Sequence, residues 1–554
     1  MRKWNLGWVS WAPVAFLAVF FFYPLFEILR LSLAPAGRLD LSPLLALVQQ
    51  PFYGRVLWFT TWQATVSTAL TLALGLPAAY VFARYTFPGK TLLRALSTIP
   101  VVMPTVVVAA AFSALLGPNG ALNRWLMQAL HLAQPPLQLQ QTIWMILLAH
   151  VFYNATIVLR MVGGFWANLD PRLEQAAAVL GANRWRVFRE ITLPLLLPSL
   201  TAASLLIFLF CFTSFGVVLI LGGPRFATLE VEIYRQAVNL FRLPMAASLA
   251  LLQMALTFAV MALYTSMQAR SAVALNFKPQ QATQRRIDGW RQALVVGSGI
   301  TFLFGLLLAP LIALLGRSLS TPHGISLAYY QALFINQRQS ILFVPPIDAM
   351  RNSLIFALLT LALALILGLL SAYLLIRTRR RLRAWLDPLF MLPLGTSAVT
   401  LGLGFLVALD APPLNLRASP LLVPVAHTLV ALPFVVRSLL PVLRGLNPHL
   451  REAAAVQGAG PARVWREIDL PILAPALIVA AVFAVTVSLG EFGATALIAR
   501  PQTPTLPLVI YRFLGQPGAQ NYGQALAAST LLMLICAAGF VLLERVRYEE
   551  VGEF

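Results

Sequence analysis

The sequence predicts an all-α membrane protein with about 12 transmembrane helices arranged as two parallel six-helix repeats. Three observations carry that prediction: an apolar composition, a series of long apolar runs, and one stretch of sequence written twice at a constant spacing. Of the 554 residues, 59% are hydrophobic and 11% charged, and the mean hydropathy is +0.80. Soluble globular domains carry charge on roughly 25% of their residues, so the solvent of this chain is a bilayer.

An α-helix needs about 20 residues to cross roughly 30 Å of hydrocarbon. Six runs of that kind lie near 12–33, 58–84, 95–117, 142–164, 200–222 and 246–268. Six more lie near 294–316, 352–376, 385–408, 421–441, 475–498 and 525–543. With the N-terminus inside, inward segments hold 27 of the 40 Lys and Arg, and the loop 377–383 alone carries five arginines. Both termini are therefore expected on the cytoplasmic side of the inner (plasma) membrane. An even number of spans per half makes the repeats parallel. The net charge of +21 matches loops that face an anionic leaflet. Because the arginines are scattered over many loops, nucleic acid is excluded as a partner.

The run from Trp11 to Leu33 exceeds the roughly 7–15 residues of an export-signal core, so with Arg2 and Lys3 before it it reads as an uncleaved first helix. Cys211 and Cys536 fall in predicted spans and do not correspond under the repeat. They are expected to be apolar core residues, with no disulfide or metal implied.

The repeated stretch is LEQAAAVLGANRWRVFREITLPLLLP at Leu173–Pro198 and LREAAAVQGAGPARVWREIDLPILAP at Leu450–Pro475, an offset of 277. The register also aligns His150 with His427, Arg160 with Arg437, Phe215-Gly216 with Phe492-Gly493, and Tyr234 with Tyr511. Upstream, Gly75 and Gly368, Tyr80 and Tyr373, and Arg84 and Arg377 follow an offset of 293. The halves are expected as two domains, 1–277 with a cytoplasmic loop at 165–198 and 278–554 with a loop at 442–475. The polar, basic stretch 270–291 joins them.

Within the first loop, Asp170-Pro171 reads as a helix start and Gly181 as its break. A basic turn (Arg184, Arg186, Arg189) then leads to Leu193-Pro194, expected to open the next span. The product is a short helix projecting on a glycine joint. A basic interfacial helix resting on lipid headgroups is the plainer reading, but two copies with matching Gly, Glu, Ile and Leu-Pro spacing point to docking.

At these residues the chain resembles the membrane permeases of binding-protein-dependent ABC importers. Their cytoplasmic loop carries Glu-Ala-Ala, three residues, Gly, about nine residues and Ile-x-Leu-Pro. The second copy matches as Glu452-Ala453-Ala454, Gly458 and Ile468-Asp469-Leu470-Pro471. The first departs, with Gln175 where Glu belongs and Glu174 displaced by one place, but keeps Ala176-Ala177, Gly181 and Ile191-Thr192-Leu193-Pro194. The resemblance implies that these residues form coupling helices seated in two separate ATP-hydrolysing subunits. It also implies an extracytoplasmic substrate-binding protein, no cofactor and no catalysis in this chain. The segments AHVFYN (149–154), FTSFGVVLILGG (212–223) and SLGEFGATAL (488–497) look most like the ferric-iron and thiamine importer subgroup, which makes one of those the expected substrate.

Other classes fit less well. Gly89-Lys90-Thr91 lacks the earlier glycine of a phosphate-binding loop, and no His/Cys/Asp cluster has metal spacing. A secondary transporter of two parallel halves is the alternative. It would need intramembrane ionisable groups, for which Glu27, Arg30, His150, His427 and Glu491 are the candidates. For the two histidines the plainer role is hydrogen bonding between helices. Glu491, with its repeat partner Ser214 and the neighbouring Phe215 and Phe492, is expected either to line the translocation pathway or to hydrogen-bond a broken helix end near Gly490 and Gly493.

Overall fold

The computed structural model describes residues 7–35, 37–270, 283–336, 342–410 and 414–551. Most of the linker between the repeats, and Arg2 and Lys3, lie outside the described residues. Among those described, strand pairing is confined to Tyr85–Thr86 beside Arg285–Arg286 and Ser320–Thr321 beside Gly324–Ile325. Everything else that is regular is helical, as a bilayer requires of a backbone that cannot hydrogen-bond to lipid.

Eleven described helices are long and apolar enough to cross a membrane. In the first half they are span 1 (Val9–Leu33), span 2 (Pro51–Arg84), span 3 (Thr105–Ala129), span 4 (Ile143–Ala167), span 5 (Arg184–Phe212) and span 6 (Leu243–Met267). In the second they are span 7 (Trp290–Leu319), span 8 (Pro346–Arg377), span 10 (Leu422–Gly445), span 11 (Pro461–Gly490) and span 12 (Ala519–Val541). Span 9 is a broken pair, Arg380–Gly395 and Ala398–Ala408, bent by 96°, which brings the total to 12. The chain is an all-α membrane protein of two parallel six-helix repeats.

Three expectations are corrected. The run at 95–117 is not one helix: Met103, held in the extended region by the following Pro104, ends a short helix at Ile99–Val102, and span 3 starts at Thr105. Its counterpart at 385–408 breaks at Thr396, and Ser397 caps the second piece by accepting from the Thr400 N–H at 3.0 Å. The run at 200–222 stops at Phe212, and 475–498 stops at Gly490; Gly216–Leu221 and Gly493–Ile498 are separate short helices. Leu193-Pro194 and Leu470-Pro471 do not open their spans either. Helix runs on through π-helical turns at Phe188–Thr192 and Trp465–Asp469, whose wider pitch accommodates the proline ring that would otherwise meet the carbonyl of the preceding turn.

Close approach of spans relies on repeat-related glycines. A Cβ on Gly75 would stand 2.9 Å from Val158 Cβ, and one on Gly368 2.4 Å from Val435 Cγ1, so spans 2 and 4 cross as spans 8 and 10 do. The first span of each half also packs into the other half. Leu17 and Phe21 of span 1 lie in the core built by spans 8 to 11, while Leu303, Leu307 and Leu314 of span 7 join the core of the first half. The packing units therefore interlock across the sequence repeat.

Candidate functional site: paired loop helices and an aromatic contact between the halves

The first loop helix, Pro171–Val179, begins as its sequence dictates. Asp170 Oδ1 accepts from the Arg172 N–H at 3.0 Å, and Pro171 opens the first turn. Asn447 does the same for Pro448–Val456 through the His449 N–H, also at 3.0 Å. Both helices end alike. Ala182 N–H donates to Ala177 O and Gly181 N–H to Ala178 O, each at 3.0 Å; Ala459 to Ala454 and Gly458 to Ala455 repeat the pair at the same distance. This closure places Gly181 at φ +83° and Gly458 at φ +84°, where an L side chain is strained, while a Cβ at either would meet nothing within 4 Å. Within this chain the glycines serve the turn rather than a packing contact.

The outer faces of these helices carry unpartnered apolar side chains. Val179 and Leu180 are 87% and 88% exposed, and Val456 is 88% exposed. Gln175, Ala176, Glu452 and Ala453 share that exposed side, Ala177 and Ala454 are half-buried, and Pro194, Leu470 and Pro471 are exposed just after the π turns of their spans. Glu452 Oε2 faces His449 Nδ1 at 3.2 Å on the same helix. The residue turned toward the bundle is the one before it: Glu174 in the first half and Arg451 in the second. Sequence reading treated Glu174 as a displaced Glu452, whereas the two occupy different faces of the helix.

The pathway candidates sit at the breaks after spans 5 and 11. Glu491 is buried, and its carboxylate caps the short helix Gly493–Ile498. Oε1 accepts from Ala494 N–H at 2.8 Å, and Oε2 from Thr495 N–H at 3.0 Å and the Thr495 hydroxyl at 2.7 Å. His427 Nε2 lies 3.3 Å from the same carboxylate. Ser214 occupies the equivalent place without a charge and bonds His150 Nε2 at 2.9 Å. Both histidines tie span 4 or 10 to its neighbours: His150 Nδ1 also reaches Ser67 at 2.9 Å, and His427 Nδ1 reaches Ser488 at 2.8 Å.

Phe215 and Phe492 meet across the join between the halves. Their rings stack at 5.4 Å with planes 22° apart, flanked by Tyr234 at 5.4 Å from Phe215 and Tyr511 at 5.3 Å from Phe492. The result is a four-ring cluster obeying the 277 offset. Tyr234 and Tyr511 were visible in the sequence only as matching letters; their meeting needs the interlock of the halves. A second contact across the join is Ser397 Oγ donating to the buried Glu230 Oε2 at 3.0 Å.

Against known proteins, the family model of the binding-protein-dependent transport system inner membrane component matches residues 71–273 and again 364–547. A probable ABC transporter permease of Sinorhizobium fredii is 27% identical over 555 residues, covering 97% of this chain and 95% of that protein. The thiamine transport system permease of Salmonella typhimurium is 28% identical over 500 residues, 89% of this chain and 88% of that one. A putative 2-aminoethylphosphonate transport system permease of the same organism is 28% identical over 272 residues, which is 49% of this chain and 95% of the relative.

Proposed function

The chain belongs to the family of binding-protein-dependent transport system inner membrane components, matched once in each half, and on that premise we propose that it is the fused two-domain permease of an ABC importer for thiamine. It lines the passage and catalyses nothing itself. Two ATP-hydrolysing subunits dock inside, one on each loop helix, and an extracytoplasmic binding protein delivers the substrate outside. The domains are those of the repeat, 1–277 and 278–554, with both termini cytoplasmic. The secondary-transporter alternative falls with the family membership.

The observation that carries the docking half of this reading is the pair of loop helices with equivalent caps, matching closing turns and exposed apolar tips at Val179, Leu180 and Val456. Apolar groups displayed together at a soluble face mark a partner surface. Gln175, Ala176, Ala177, Gly181, Leu193 and Pro194, with Glu452, Ala453, Ala454, Gly458, Leu470 and Pro471, form the coupling segments. For transport, the Phe215–Phe492 stack is the closed point of the passage, with Ser214 and Glu491 beside it. ATP-driven approach of the two loop helices turns the halves against each other and parts the rings. Thiamine is supported by the 28% identity to a thiamine permease over nearly the full length of both chains. The ring cluster adds to this, since π faces attract an organic cation. Nothing in the geometry favours ferric iron, the other expectation.

The test is retention of partners. The tagged chain, purified in mild detergent from its native membrane, should carry two copies of an ATP-hydrolysing subunit, and Val179→Asp with Val456→Asp should release them. A chain that inserts normally yet retains no such subunit would refute the docking reading.

A further inference from the structure

Residues 174 and 451 are equivalent under the repeat, sit in the first turns of the two loop helices, and carry opposite charges. Each is the centre of a polar node joining its helix to the π turn of the following span. In the first half the centre is an acceptor. Arg84, the last residue of span 2, donates to Glu174 Oε1 at 2.5 Å, and the Thr192 hydroxyl, in the π turn of span 5, donates to the same oxygen at 3.1 Å. The Arg84 side chain is 1% exposed, and its other amino group donates to Leu169 O at 3.3 Å, just ahead of the helix cap. In the second half the centre is a donor. Arg451 Nε donates to Asp469 Oδ1 at 2.7 Å, and Asp469 occupies the π-turn position of Thr192. Arg377, the counterpart of Arg84, lies over the ring of Tyr373 in span 8 at 5.9 Å.

We propose that residues 174 and 451 are struts that carry movement of each coupling helix into the fifth helix of its own half, and in the first half into the second helix as well. A helix held only by exposed contacts would slide when a partner pulls on it. A charge-assisted bond to a buried or nearly buried partner resists that displacement, because separating the pair leaves a charge uncompensated away from water. The π turn supplies the reach, since it turns Thr192 and Asp469 toward the loop helix in a span that otherwise faces apolar neighbours.

This inference rests on the permease reading, and its test separates the two. Glu174→Gln and Arg451→Gln chains, assembled with the ATP-hydrolysing subunits that copurify with the unaltered chain, should retain those subunits and their basal hydrolysis. Stimulation by loaded binding protein and ATP-driven uptake of radiolabelled thiamine should fall by about tenfold. Arg451→Asp should be worse still, and Arg451→Asp with Asp469→Arg should restore most of the uptake, because the swapped pair rebuilds the strut with its polarity reversed. Normal uptake in the single variants would overturn the proposal. So would a swap no better than Arg451→Asp alone, or a loss of subunits in step with uptake. If the unaltered chain retains no ATP-hydrolysing subunit, the permease reading fails first, and the struts with it.

Discussion

Phe215 and Phe492 are 277 positions apart and stack at 5.4 Å, each contributed by the break that follows the fifth helix of its half. A contact between repeat-equivalent residues lies on the axis relating the halves, and under the permease reading the two rings must part there for a solute to pass. With Cys211→Ser and Cys536→Ser removing the native thiols, Phe215→Cys and Phe492→Cys joined by a short bifunctional thiol reagent should abolish uptake. Either cysteine alone should leave uptake measurable after the same treatment. Transport by the joined chain at the rate of the untreated one would remove this contact from the passage.

Gly181 and Gly458 adopt φ near +83° with open space around them, so any L side chain fits but the backbone resists, at about 1–2 kcal/mol per site. Valine at both should leave the chain inserted but loosen the closing turns and stop stimulated ATP hydrolysis. Asparagine, which tolerates the left-handed region, should preserve most of it. Equal activity in the two double variants would show that the turn conformation is not required.

Glu452 and Gln175 both face outward, and the Glu452–His449 contact is an exposed pair of the kind worth only about 0.2–0.5 kcal/mol. Glu452→Gln should therefore leave the thermal midpoint alone while weakening association with the ATP-hydrolysing subunit, and Gln175→Glu should weaken it less or not at all. Titration of the detergent-solubilised chain with the purified subunit reads both. Identical affinities would make the difference between the loops neutral.

The loop helices were legible because their signals are local: Asp-Pro and Asn-Pro at the starts, Gly one turn past the alanines, and all of it written twice. Spans 1, 2, 4, 6, 7, 8, 10 and 12 were legible from apolar length alone. The breaks were harder, because Met103-Pro104, Thr396-Ser397 and Gly490-Glu491 interrupt apolar runs without making them polar. Hydropathy reports burial, and a re-entrant helix is as buried as a spanning one. The interlock of spans 1 and 7 with the opposite halves left no trace in the repeat, which records ancestry rather than packing. Glu174 was misread as a displaced Glu452, and Arg451 went unremarked, because the two share a position with reversed sign and sequence matching scores that as a mismatch. Only the buried partners Arg84 and Asp469 reveal a common task.

Glu491 accepts three hydrogen bonds that hold the start of Gly493–Ile498 and lies beside His427. Glutamine at this site would turn an amide donor toward N–H groups that need an acceptor, at a cost of about 1–3 kcal/mol. Glu491→Gln should lower the thermal midpoint of the purified chain, with half-saturating thiamine unchanged for the fraction that remains folded. A normal midpoint with a raised half-saturation would instead make Glu491 a contact for the passing substrate.

The central claim is that this chain is a permease whose passage opens on ATP hydrolysed by its partners. Reconstituted into vesicles with those subunits inside and the binding protein outside, it should accumulate radiolabelled thiamine only when ATP is enclosed. A non-hydrolysable analogue or omission of the binding protein should remove the accumulation. Equal accumulation without ATP, driven by an ion gradient alone, would contradict the account.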